Sequence, residues 1–415
     1  MGISFFAYLC LMKKLSYILL YVLIFASCKT QNISRTKQSI SDNYVVVLSM
    51  DGFRADYPEI YHTPTLDSLA KEGIRSELIP CFPSLTFPNH YAMATGLHPD
   101  QHGLVHNTFI NPQGDIYRIS SREAVENPSF YRGEPIWNTA ERQGVRAASF
   151  FWVGSETPID GRQPSRWKKY TKSVTYDQRA DSVLAWLSLP EKERPRLIMW
   201  YLDEPDHTGH YYGPESNETR DMVQHVDSVL GRFLYKMNQL PIADKIDFIL
   251  VSDHGMAAYK PEKTIDLTKY LPLDSFRFVV DGTPTMLYPN PGYVDEAYRI
   301  LKTIPGLQVW RKSEVPAKYK YGAHPSIGEL VVLPRMGVQI QFRAFSFSKM
   351  KGGHGFDNLA PEMRAIFYLS GHSFNKKRRV TAVENVNLYL LICRLLGIEP
   401  APNDGDERVV RKLMK

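Results

Sequence analysis

From residue 44 onward the chain alternates short runs of β-branched or aromatic residues with longer amphipathic ones. The short runs predict strands at Val45 to Ser49, Ala147 to Trp152, Leu197 to Leu202, Phe248 to Ser252, Gly328 to Leu333 and Ala365 to Leu369. Apolar positions at helical spacing predict helices at Thr65 to Glu72, Pro88 to Ala94, Ile136 to Gln143, Asp177 to Leu187, Glu218 to Met237, Asp295 to Thr303 and Val386 to Leu396. The longest of these carries Met222, Val226, Val229, Phe233 and Met237, a stripe that faces a core and needs no functional reading. Strands alternating with helices imply an α/β fold, a doubly wound, mostly parallel central sheet with helices on both faces. Ligands of such sheets bind beyond the carboxyl ends of the strands. Between about 262 and 345 the periodicity weakens and Pro, Gly and Tyr accumulate, so this stretch reads as a small cap or insertion within one domain spanning 44–415.

The N-terminal pattern is different. Lys13 and Lys14 precede the apolar run LSYILLYVLIFA, too short to span a bilayer comfortably but typical of a secretory signal core. Small residues Ala26 and Ser27 lead to Cys28, and the arrangement resembles a bacterial lipoprotein signal. The resemblance implies a signal segment over 1–28, lipidation of Cys28 as the first mature residue, and a polar tether over 29–43. The protein is then expected to be exported, as a periplasmic or outer-membrane, cell-surface lipoprotein of a bacterium held to its membrane through Cys28. Phe25 departs from the Leu, Val or Ile usual at its position, and a plain cleaved signal or a retained anchor are the alternatives. Met12 before the two lysines looks like the natural start. Export permits disulfides, yet Cys81 and Cys393 sit in apolar surroundings and read as core-filling thiols.

With 43% hydrophobic and 23% charged residues over 415 positions, the composition is that of a globular protein. The formal charge of +6 falls to about +4 once Lys13 and Lys14 are removed, which marks no nucleic-acid partner.

The candidate chemistry lies in turns that follow the strands. Asp51 follows VVVLSM, Asp206 and His210 follow RLIMWYLDEP, and Asp253-His254 follows KIDFILVS; His354 comes late, in GGHG. Three carboxylates and three imidazoles are the donors that two zinc-like cations need if each keeps a position open. Alone, Asp51 reads equally as a turn or capping Asp, and the spacing of Asp206 and His210 lets one helical or turn-like stretch aim both at one cation. Asp253 and His254 are adjacent, which suits a bridging role between neighbouring metals. Thr86, just ahead of a predicted helix, supplies a hydroxyl whose pKa a divalent cation would lower, so the chain reads as a two-metal phosphoryl-transfer enzyme.

The segments VVVLSMDGFR, FPSLTFPNHYAMATGLHPDQHGLVHN, FFWVGSE, YLDEPDHTGHYYGP, VSDHGM and GGHGFDN resemble the motif series of the nucleotide pyrophosphatase/phosphodiesterase (type I phosphodiesterase) family in the alkaline phosphatase superfamily. The resemblance implies two Zn2+ ions, one held by Asp206, His210 and His354 and the other by Asp51, Asp253 and His254. Thr86 is then the nucleophile at the second metal, forming a phospho-threonine, and Asn107 donates to a phosphate oxygen. Phe87 and Tyr170 match aromatics that sandwich a nucleobase in the family, against core packing as the plainer reading. The expected substrate is a nucleotide or other phosphodiester.

No cation adjoins Thr86, whose neighbours are Leu85 and Phe87, and this favours diesters over monoesters. Lys168 and Lys169 keep a phosphomonoesterase, or a phosphonate hydrolase with the same metals, as the alternative. A non-catalytic surface binding lipoprotein is the third reading. Of the other histidines, His90 reads as a donor behind the nucleophile loop, His207 as solvated or pocket-lining, His102 and His106 as loop residues, and His225 as a surface residue.

Overall fold

The computed structural model describes residues 41–342, 349–374 and 378–414. The segment 1–28 with Cys28, and the tether up to residue 40, lie outside the described residues. In chain order the elements that build the site and its support are β1 (Tyr44–Met50), α1 (Pro64–Glu72), β2 (Ile74–Ile79), α2 (Thr86–Thr95), β3 (Thr108–Ile110), β4 (Ile116–Arg118), α3 (Ile136–Arg142), β5 (Ala147–Phe150), β6 (Arg166–Lys168), α4 (Tyr176–Leu187), β7 (Leu197–Leu202), α5 (Asp206–Tyr212), α6 (Asn217–Met237), β8 (Ile246–Val251), β9 (Phe276–Val280), β10 (Thr285–Pro289), α7 (Val294–Lys302), β11 (Leu307–Arg311), β12 (Leu330–Pro334), β13 (Ala365–Ser370) and α8 (Asn387–Leu396). Among the described residues no helix is long and apolar enough to cross a membrane.

The central sheet runs β2-β13-β8-β1-β7-β5-β6, with short strands Arg378–Arg379 and Val383–Glu384 beside β2. The five strands from β8 to β6 are parallel, so their carboxyl ends share one rim. β1 shows why the sheet is covered twice: Val45 and Val47 enter one core, Tyr44, Val46, Leu48 and Met50 the other. α2, α3 and α8 pack on the first face, α1, α4 and α6 on the second. This is the α/β, mostly parallel arrangement that the alternating pattern predicts.

Three details differ from the pattern reading. β13 lies antiparallel to both β8 and β2. β2 itself was not among the predicted strands, because Arg75 and Glu77 interrupt its alternation of buried Ile74, Ser76 and Leu78. The predicted strand at Gly328 to Leu333 forms as β12 and joins a separate antiparallel sheet, β9-β10-β12-β11, covered by α7. The opposite face of that small sheet, with Phe278, Val280 and Met286, packs into the main core. Cys81 and Cys393 are buried and free.

α2 begins at Thr86, two residues ahead of its predicted start, and His102 holds its first turn. The backbone N–H of Leu104 donates to His102 Nδ1 at 3.2 Å, so the ring donates through Nε2 to the Pro88 carbonyl at 3.1 Å. His102 is therefore a buried connector to the nucleophile helix, not an idle loop residue. Burial, with His98 close by, pushes its pKa down from 6.5 to about 3. The unfolded chain binds a proton here where the folded chain does not, so stability is fully present above about pH 6.5 and falls as the pH drops toward 3. In urea titrations between pH 6 and 4, wild type is expected to lose about 1.4 kcal/mol per pH unit more than His102→Gln. Parallel pH slopes for the two proteins would show that His102 is not held neutral by the fold.

Candidate active site

Three turns meet at the carboxyl ends of β1, β7 and β8. Asp51 follows β1 directly, Asp253 and His254 follow β8 after Ser252, and Asp206 opens α5 beyond β7. Backbone hydrogen bonds fix the turns to one another: Asp51 N–H donates to the Leu202 carbonyl at 2.9 Å and Asp206 N–H to the Asp51 carbonyl at 3.0 Å. Gly52 N–H donates to Asp253 Oδ1 at 3.2 Å. Gly52 has φ +64°, and a Cβ there would lie 2.8 Å from Asp206 Cα, so only glycine lets the first two turns touch. At Gly255 a Cβ would meet the Glu362 carbonyl at 2.1 Å, which explains the glycine after His254. Just ahead of α5 the Glu204 carboxylate accepts from Thr208 N–H at 2.9 Å, and the four-residue spacing puts Asp206 and His210 on one helical face.

The three histidines are oriented alike. Nδ1 of His210, His254 and His354 faces the carbonyls of Gly352, Gly255 and Ser84 at 2.9, 2.8 and 2.9 Å. A carbonyl only accepts, so each Nδ1 carries the proton and each Nε2 turns a lone pair inward. His254 Nε2 lies 3.1 Å from Asp253 Oδ2 and 3.5 Å from Asp51 Oδ1. His354 Nε2 lies 3.6 Å from Asp206 Oδ1 and 3.1 Å from His210 Nε2. Asp51 Oδ1, Asp206 Oδ1 and Asp253 Oδ2 are buried without a hydrogen-bond partner. Acceptors therefore face acceptors, a repulsion that a cation among them would relieve.

The charges respond accordingly. Burial, then Asp253 and Asp206, holds the Asp51 carboxyl well above the usual range, although Tyr201 donates its hydroxyl to Asp51 Oδ2. Burial, then His254 and His210, pushes His354 well below it. Two donor groups result, Asp51/Asp253/His254 and Asp206/His254/His354, each with ligand atoms within 4.8 Å of one another. The first is the trio expected from sequence. In the second His254 takes part as a shared member, while His210 joins through its contact with His354. All six residues are thus brought together, and their chemistry fits a pair of zinc-like cations.

Thr86, at the first turn of α2, places Oγ1 3.2 Å from His254 Nε2. Asn107 Oδ1 accepts from Phe87 N–H at 3.0 Å, an orientation that leaves its amide N–H groups as donors beside the nucleophile. His90 is fully buried; Nδ1 contacts the Thr86 carbonyl at 2.9 Å and Nε2 the Ser49 hydroxyl at 2.9 Å, so it braces the loop from behind.

Beside Thr86 opens a cavity of about 290 Å³ lined by Phe87, Tyr170, Phe151 and Trp152, with His207 at its edge. Tyr170 stands edge-on to Phe151 with ring centroids 5.1 Å apart. Neither Lys168 nor Lys169 lines this cavity, and Lys169 pairs with Glu126 at 2.6 Å. The cations that do line it are Arg122, tied to Glu126 and Glu156, and Lys172. Sequence reasoning missed these two and Tyr201, which hides inside the hydrophobic run of β7. His106 is likewise no idle loop residue: it is buried, with Nε2 3.2 Å from the Pro284 carbonyl in the turn between β9 and β10. His225 is exposed on α6.

Gly52→Ala is expected to force Asp51 and Asp206 apart and to weaken divalent-cation binding by about tenfold or more while the circular dichroism spectrum stays unchanged. Zinc affinity measured against a competing chelator checks this, and equal affinities would refute the close approach as a requirement of the site.

A profile of the family described as Type I phosphodiesterase / nucleotide pyrophosphatase matches residues 45–357. Venom phosphodiesterase CdcPDE of Crotalus durissus collilineatus is 32% identical over 405 residues, covering 94% of this chain and 48% of that protein. The chain thus spans about half the length of the venom relatives it matches. Ectonucleotide pyrophosphatase/phosphodiesterase family member 7 of Rattus norvegicus is 33% identical over 391 residues, covering 89% of this chain and 87% of that protein. Among solved structures, murine ectonucleotide pyrophosphatase/phosphodiesterase 5, an inactive variant in complex with AMP, superposes with a TM-score of 0.86 at 29% identity, covering 90% of this chain and all of that one. In sequence, fold and the convergence of its acidic turns, this chain belongs to the type I phosphodiesterase/nucleotide pyrophosphatase family, with an alkaline phosphatase-like fold.

Proposed function

We propose that the protein is a two-zinc phosphodiesterase/nucleotide pyrophosphatase that hydrolyses phosphodiester or phosphoanhydride bonds of nucleotides through a phospho-threonine at Thr86. The observation that carries this reading is the Thr86 hydroxyl 3.2 Å from His254 Nε2, at the edge of a cluster in which Asp51, Asp206 and Asp253 each turn one donor-less oxygen inward. Asp206, His210 and His354 would hold one zinc, and Asp51, Asp253 and His254 the other. When bound, the pair supplies Lewis acidity that lowers a hydroxyl pKa and offsets anionic charge.

The chain's own groups do the rest. Thr86 releases its proton to solvent and attacks phosphorus; the Oγ–P bond forms as the bond to the leaving oxygen breaks, and the electron pair departs with that oxygen. Water then attacks phosphorus and gives up a proton; the Oγ–P bond breaks with its electron pair on Thr86 Oγ, which takes a proton, and a nucleoside monophosphate is released. Asn107 donates to a phosphate oxygen, and the N–H groups at the start of α2 favour the same anion. Phe87 and Tyr170 in the 290 Å³ cavity provide aromatic surface for the base. AMP in the complex of the murine relative supports a nucleotide as the retained half. Export and anchoring through Cys28 remain part of the proposal.

Thr86→Ala is expected to keep its zinc and lose at least about a thousandfold in hydrolysis of p-nitrophenyl thymidine monophosphate. Unchanged turnover would remove Thr86 from its role, and zinc without turnover in wild type would favour a binding lipoprotein. The diester should exceed p-nitrophenyl phosphate in kcat/KM; the reverse preference would favour the monoesterase. Cys28→Ser should move the protein from the membrane to the soluble fraction, and unchanged fractionation would reject lipidation there.

A further inference from the structure

Tyr170, one wall of the cavity beside Thr86, is carried by the loop 169–175 between β6 and α4. Apart from Tyr170 and Val174 every residue of this loop is exposed, so packing alone does not hold it in place. Its polar ties at the Tyr170 end lead to two acids: Tyr170 N–H donates to Glu156 Oε1 at 2.9 Å, and Lys169 Nζ lies 2.6 Å from Glu126 Oε1. Arg122 joins those acids, its Nη2 donating to Glu126 Oε1 at 2.8 Å and to Glu156 Oε2. Lys169, Glu126, Arg122 and Glu156 thus form a chain of alternating charge that closes on the Tyr170 backbone.

The far side of this ring is anchored independently of the loop. Arg122 opens a single helical turn, Arg122–Val125, with Ser121 as its cap. The Val125 carbonyl accepts from the Thr157 hydroxyl and from the Tyr131 hydroxyl, each at 2.7 Å, so the backbones bearing Arg122 and Glu156 are already fixed to one another. What the ring adds is the position of the loop. The Tyr170 ring follows its backbone and rests edge-on against Phe151, over which the buried Arg179 guanidinium lies 5.0 Å from the ring centroid.

Exposure ranks the links. The Lys169 side chain is 59% exposed, and a surface pair of that kind contributes little. The Glu156 side chain is 7% exposed, and a carboxylate so placed would be left charged and desolvated without Arg122.

We infer that Arg122 and Glu156 are positioning residues for nucleotide binding: they fix the loop backbone at Tyr170 and so set one aromatic wall of the nucleoside site before substrate arrives. This rests on the phosphodiesterase reading and adds to it the pair that pre-organises the site. Arg122 also borders the cavity, so direct contact with the nucleotide is the rival role.

Two esters with the same leaving group separate these roles. p-Nitrophenyl thymidine monophosphate and methyl p-nitrophenyl phosphate differ only in the retained half, so the ratio of their kcat/KM values reads the contribution of the nucleoside. Tyr170→Ala, Arg122→Ala and Glu156→Ala should each lower that ratio about tenfold, chiefly through KM of the nucleotide ester. Arg122→Lys and Glu156→Gln should recover part of the loss. Adding Arg122→Ala to Tyr170→Ala should lower the ratio no further, because both act through one side chain. Independently of activity, trypsin should cut folded Arg122→Ala protein after Lys172 severalfold faster than wild type. A ratio that falls in Tyr170→Ala but not in Arg122→Ala or Glu156→Ala would overturn the positioning role, as would equal tryptic rates. A further loss in the double variant would overturn it in favour of direct contact between Arg122 and the nucleotide. A ratio unmoved by Tyr170→Ala would instead strike the aromatic wall, and with it the nucleotide reading beneath.

Discussion

Unpaired buried acceptors are the constraint around which the rest of this molecule is organised. Three buried carboxylate oxygens without hydrogen-bond partners are pressed against the inward lone pairs of His210, His254 and His354, of which the one on His254 faces the Thr86 hydroxyl. In a neutral interior such a grouping repels itself and each desolvated oxygen costs stability. The fold holds it nonetheless, because each histidine is locked through Nδ1 to a backbone carbonyl and the three turns are bonded to one another. A strained constellation of this kind persists when a bound charge compensates it, and the proposed zinc pair supplies that charge.

Parallel strands make the crowding possible. β8, β1 and β7 are adjacent, so acids placed just past their ends arrive together without a long connecting loop. His354 reaches the same point after the small antiparallel sheet, through the pairing of Gly352–Gly353 with Ala257–Ala258. The inserted sheet thus has two consequences. Its buried face continues the main core, and the end of β9 borders a cavity of about 500 Å³ beside His210 and His354.

How much was legible without coordinates follows from this geometry. Asp51, Asp253 and His254 stand directly after apolar runs, and Asp206 with His210 at helical spacing, so strand periodicity alone points to them. Thr86 stood out only as a hydroxyl just ahead of a predicted helix, and Asn107, Phe87 and Tyr170 became visible only through resemblance of the surrounding motifs. Tyr201 was illegible because a tyrosine inside LIMWYL looks like core, and only the fold turns its hydroxyl to Asp51. The same holds for Arg118, Arg122 and Lys172, exposed or half-exposed cations whose meaning depends on which cavity they border. β2 was missed since its polar positions reflect a half-buried place near the sheet edge rather than a loop.

Anomalous diffraction at the zinc absorption edge, from crystals grown with zinc, tests the central claim most directly. The account predicts two peaks roughly 4 Å apart, one bonded to Asp206, His210 and His354, the other to Asp51, Asp253 and His254. One peak, or peaks away from these six side chains, would contradict it.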